Sequence, residues 1–142
     1  MTDRNSLYKN AEGFEIWSAD GSTPFRFILK DQLLMTAFSS KLKRGCANRL
    51  AGHTLDLQSL QASLKGLGQT LGCSRLDFQI KLAGQAWVTR KAEILLAETG
   101  LAPLCVACTD DNILEAFFFA GSGRLRIRAL KEIITERSLY AA

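Results

Sequence analysis

From Leu76 to Leu82 the chain alternates apolar and polar residues without a break: Leu76-Asp77-Phe78-Gln79-Ile80-Lys81-Leu82. Side chains on a β-strand point to opposite faces in turn, so this period of two puts four apolar residues on one side and three polar ones on the other. On a helix the same residues would be scattered around the whole circumference. The chain must therefore contain a sheet with one apolar face, and some other element must cover that face. Ala83-Gly84-Gln85 is the expected turn after this strand, with Ala86-Trp87-Val88 returning.

The cover is visible just upstream. Leu57, Leu60, Leu64, Leu67 and Leu71 recur at helical spacing and form a narrow leucine seam on a helix that Thr54 is expected to cap. Such a seam packs on a sheet or pairs with a second copy. It lasts barely two heptads, and Gly66 and Gly68 weaken its second half by about 1 kcal/mol each, which favours packing on the sheet. Another helix is predicted after Asp31: Leu34, Met35, Phe38 and Leu42 share one helical face and Gly45 suits a left-handed C-terminal position. Lys41, Lys43 and Arg44 then complement the negative end of its dipole. Arg90 to Thr99 is predicted as a short helix capped by Thr89 and stopped by Gly100, with an extension of the preceding strand as the alternative, and Lys131 to Tyr140 as a closing helix.

Phe14–Trp17 and Phe25–Leu29 are further expected strands, separated by a segment dense in turn formers. Leu104–Thr109, Ile113–Phe119 and Arg124–Leu130 are expected as three antiparallel strands, joined by Asp110-Asp111-Asn112 and Ala120-Gly121-Ser122-Gly123. The expectation is an α+β chain: a single domain over residues 1–142, mostly one antiparallel sheet of about five to seven strands with two or three packed helices, and residues 1–10 as a flexible tail. At 47% hydrophobic residues the chain is too apolar for disorder. No apolar run approaches the roughly 20 residues of a membrane-spanning helix, and the start is polar, so a cytoplasmic protein without a membrane partner is expected.

That compartment sets the reading of the cysteines. Cys105-Val106-Ala107-Cys108 has the CxxC spacing of redox and zinc sites. It lies in an expected strand, however, where residues three apart point to opposite faces and cannot converge on one metal or one disulfide. Small core residues are the expectation for the four cysteines. His53 is the one histidine, expected in a loop entering a helix; Asp110, Asp111 and Glu115 are the one tight carboxylate group. An enzyme built on this chain would have to work from His53 or from those carboxylates, in a cleft between helix and sheet. Asp-Asp-Asn between apolar runs is ordinary turn composition, and the chain carries no P-loop, dinucleotide-binding glycine pattern, nucleophile elbow or zinc-finger spacing. No metal, cofactor or catalytic residue is assigned, and a non-enzymatic role is preferred.

The last hairpin offers a surface instead. With Gly121-Ser122 as its loop, Phe119 faces Arg124, Phe118 faces Leu125, Phe117 faces Arg126, Ala116 faces Ile127 and Glu115 faces Arg128. One face is then wholly apolar; the other carries Phe117, Phe119, Arg124, Arg126 and Arg128. Rings beside guanidiniums suit an anionic small molecule or single-stranded nucleic acid, the rings stacking on bases and the arginines pairing with phosphates or carboxylates. The 18 basic residues exceed the 14 acidic ones by only four, yet Arg124, Arg126, Arg128 and Lys131 fall together without an acid among them. Self-association as a homodimer, through the phenylalanine face or the leucine seam, is the alternative.

Overall fold

A computed structural model describes residues 6–9, 15–19, 24–72 and 77–130. In chain order they form β1 (Ser6–Lys9), β2 (Glu15–Ala19), β3 (Phe25–Leu29), β4 (Gln32–Ser39), β5 (Arg44–Ala51), α1 (Leu57–Leu71), β6 (Gln79–Gln85), α2 (Ala86–Glu98), β7 (Cys105–Thr109), β8 (Leu114–Phe119) and β9 (Arg124–Ala129). A six-stranded sheet has the order β1-β2-β5-β4-β6-β7, and a three-stranded sheet the order β3-β8-β9. Every pairing is antiparallel except β6 with β7. The α+β class stands, with the strands divided between two sheets rather than gathered in one. Ser6–Lys9 form a ladder with β2 that gives their backbone groups partners. The expected helix over 131–140 lies outside the described residues.

Both faces of the large sheet are covered at β4, β5 and β6. On one side Leu33, Met35 and Ala37 of β4 and Ile80 and Leu82 of β6 meet Leu60, Leu64, Leu67 and Leu71 of α1 and Val88, Ala92 and Leu96 of α2. On the other, Leu34, Ala47 and Ala83 meet Phe25, Phe27 and Leu29 of β3 and Leu114, Ala116 and Phe118 of β8. The layers run helices, large sheet, small sheet. Leu60, Leu64, Leu67 and Leu71 of the leucine seam are thus spent on packing against the sheet.

This layering explains the largest departure from expectation. The segment after Asp31 is strand β4, not a helix. Leu33 through Ala37 are all buried because β4 is a central strand covered on both faces. Such a strand has no polar side, so the period of two disappears from its sequence and a helical face can be read into it by coincidence. Lys41 and Lys43 sit in the β4–β5 turn, where Lys43 takes the left-handed conformation (φ 54°). Gly45 lies in β5, where an added Cβ would meet the Ala120 carbonyl oxygen at 2.7 Å.

Two boundaries also move. Strand β6 continues through Gln85 and α2 begins at Ala86, so no strand returns over 86–88. Gln85, not Thr89, occupies the N-cap of α2, and its side chain makes no cap bond because it is engaged elsewhere. Its Oε1 accepts from the Asp31 N–H (3.0 Å), while Nε2 donates to the carbonyls of Leu29 (3.2 Å) and Asn112 (2.9 Å). Helix α1 is capped by Asp56 rather than Thr54: the Ser59 N–H donates to Asp56 Oδ1 (2.7 Å) and the Asp56 N–H to Ser59 Oγ (3.1 Å). The β6-α2-β7 crossover makes β7 parallel to β6, not antiparallel to β8.

Candidate ligand-binding face

The register of the last hairpin is as expected: Glu115↔Arg128, Ala116↔Ile127, Phe117↔Arg126, Phe118↔Leu125 and Phe119↔Arg124. Its turn is longer than two residues. The Phe119 carbonyl accepts from the N–H groups of Ser122 (3.1 Å) and Gly123 (2.7 Å), and Gly123 supplies the left-handed residue (φ 78°) that brings the chain back. The even residues of β8 are buried between the sheets, so Phe117, Phe119 and the three arginines share the opposite face. Phe117 and Phe119 are half-buried; Arg124, Arg126 and Arg128 are exposed.

The structure adds a third strand to this face. β3 pairs with β8 so that Arg26 lies opposite Phe117 and Ile28 opposite Glu115. Phe25, Phe27 and Leu29 point inward, leaving Arg26 and Ile28 exposed. Arg26 joins this candidate face, which the hairpin alone does not reveal. Its alternating strand marks it as outward-facing, but the partner of that strand lies some ninety residues away in the chain.

Glu115 sits beneath this surface with only 1% of its side chain exposed. Arg26 Nε donates to one carboxylate oxygen and Arg128 Nε to the other. Burial pushes the carboxyl up, but the two guanidiniums outweigh it and hold Glu115 below the usual carboxylate value. Two of the four arginines are thereby engaged. Arg124 lies over the Phe119 ring, its guanidinium carbon 5.9 Å from the centroid. Arg126 has no carboxylate partner among the described residues. It helps to line an open depression of about 370 Å³ with Pro24, Phe117, Phe119, Ile127 and Arg128.

The other candidates do not assemble. Glu115 belongs to the arginine face, and Asp111 accepts from the Thr109 hydroxyl (2.8 Å) in a local turn. Among the described residues no three His, Cys, Asp or Glu side chains come together in a metal-holding arrangement. His53 is exposed in the loop after β5, its Nε2 3.7 Å from an Asp31 carboxylate oxygen and its ring 4.9 Å from that of Trp87. Cys105 and Cys108 are exposed rather than in the core, because β7 is the last strand of the large sheet. Cys46 is buried, and Cys73 lies outside the described residues. No helix among the described residues is long and apolar enough to cross a membrane. Among known proteins, the chain matches no family model and no curated sequence.

Proposed function

We propose that the chain is a non-enzymatic binding module whose β3-β8-β9 face takes an anionic ligand bearing a flat ring. One observation carries this reading: Arg126, without a carboxylate partner among the described residues, lines a depression walled by the half-exposed rings of Phe117 and Phe119. A guanidinium beside exposed rings can pair bidentately with a phosphate or carboxylate while a planar group stacks on a ring. The depression, about 370 Å³, falls within the size range of small-molecule sites, roughly 300–1,000 Å³. Buried Glu115 takes up Arg26 and Arg128 in ion pairs, which leaves Arg126 as the guanidinium of the depression without a carboxylate partner among the described residues.

The test uses thymidine monophosphate as the probe in an amide chemical-shift titration. The expected result is saturable shifts confined to β3, β8 and β9, weakened by added salt and abolished by Arg126→Glu, with the variant's spectrum remaining that of a folded protein. Unchanged binding by the variant, or shifts clustered at the His53–Trp87 corner, would refute the role of this face.

A further inference from the structure

Resting on that reading, we infer that the ligand is single-stranded nucleic acid, and that the face holds consecutive unpaired nucleotides rather than one small anion. Phe117 and Phe119 are two residues apart on the central strand of the small sheet, which separates their ring positions by about 6.8 Å along the strand. Stacked bases in a duplex are spaced by about 3.4 Å per strand. Two neighbouring bases can therefore occupy both rings only when drawn apart from each other, as a single strand allows and a duplex does not.

The arginines repeat at the same interval. Arg124, Arg126 and Arg128 lie on β9, directly opposite Phe119, Phe117 and Glu115. They form a row about 13–14 Å long beside the rings. One phosphate cannot span that row, whereas an extended backbone presents a negative charge at each nucleotide. The depression stops short of Arg124, which lies beside Phe119 at the turn end of the row. The cationic surface is thus longer than the depression, as an extended polyanion requires. Four guanidiniums against one buried carboxylate give the face its sign.

The experiment measures fluorescence anisotropy of labelled oligothymidylates of two, four and eight nucleotides. Unlabelled thymidine monophosphate, duplex DNA and heparin serve as competitors. Affinity is expected to rise at least tenfold from the monophosphate to the eight-mer. With three phosphates neutralised, its logarithm should fall against the logarithm of salt with a slope of about −2. Phe119→Leu and, independently, Phe117→Leu should each weaken the eight-mer about tenfold and leave heparin binding unchanged, because a polyanion without bases has nothing to stack. Both rings are half-exposed, so at least one of these variants is expected to keep the wild-type amide spectrum. If the eight-mer competes no better than the monophosphate, the nucleic-acid inference falls and the small-anion reading stands. If heparin or duplex binds as well as the eight-mer and neither ring variant matters, the face attracts charge alone and the inference also falls. If no anion binds at all, both readings fall together.

Discussion

A carboxylate sealed under a sheet surface loses its water, and at Glu115 two guanidiniums take the water's place. Burial alone would favour the neutral acid; the paired cations reverse that and hold the group below its ordinary value of 4.5. In the unfolded chain the carboxyl therefore binds its proton at higher pH than in the folded one. Its contribution to stability is complete above about 4.5 and is lost as the pH falls through the folded value. Glu115→Gln keeps the shape and removes the charge. Arg26 and Arg128 are more than half exposed and can turn to solvent, so the cost is moderate: about 1–3 kcal/mol of unfolding free energy at neutral pH. Urea titrations in steps from neutral to acid should show the gap between wild type and variant closing below the carboxylate range. A gap that stays constant would show that the ion pairs contribute nothing. The same substitution releases two cations on this face, one of them, Arg128, lining the depression, so it should tighten thymidine monophosphate binding while weakening the fold. A variant that loses both would place Glu115 in the binding geometry rather than the charge balance.

Elements meet at their turns, and the β8–β9 turn is fixed from outside as well as within. Lys81 Nζ donates to the Gly123 carbonyl at 2.9 Å, and a Cβ on Gly123 would lie 2.6 Å from Phe38 Cγ. Gly123→Ala combines a left-handed backbone with a collision against a ring of β4, and should cost about 2–4 kcal/mol. Thermal unfolding should show it, with amide shifts concentrated in the hairpin and around Phe38. A loss within half a kcal/mol would mean that the turn relaxes freely. The hairpin was legible in the sequence because its partners are neighbours and β9 alternates: the five pairs from Glu115–Arg128 to Phe119–Arg124 follow from symmetry about one turn. Helix α1 was legible for the matching reason, its leucines repeating at the helical period over a length no strand reaches. What escaped was non-local. β4 is buried on both sides and shows no period, and Arg26 joins the candidate face only because β3 pairs with a strand some ninety residues later. Ser59 and Asp56 form a cap two residues beyond the one expected at Thr54, since either residue satisfies the same backbone rule.

At the scale of the whole molecule, the α+β class follows from the coexistence of two periods, but the stacking of three layers does not, because no local pattern records which sheet face meets which. Gln85 makes one such connection explicit. It ends β6 in the large sheet, is 4% exposed, and its amide bonds the end of β3, the turn into β4 and Asn112 just before β8. Its side-chain bonds all reach the chain segments that carry the small sheet, so a single polar side chain ties one end of that sheet to the large one. Such a group is valuable only while fully satisfied. Gln85→Leu keeps much of the volume and leaves one N–H and two carbonyls, the Leu29 carbonyl in a buried bond, without their partner, which should cost about 3 kcal/mol. The loss should also be unevenly distributed. β4 and β5 remain clamped by α1 and by one another, whereas β3 and β8 lose their tie at one end. Hydrogen exchange should therefore accelerate first at the amides of β3 and β8, in a local opening that leaves the large sheet protected. Because Phe117 and Arg26 are on those same strands, ligand affinity should fall with the protection of the small sheet and not with global stability. Uniform acceleration across both sheets would show instead that the two layers unfold as one unit and that Gln85 contributes to stability without acting as a local tie.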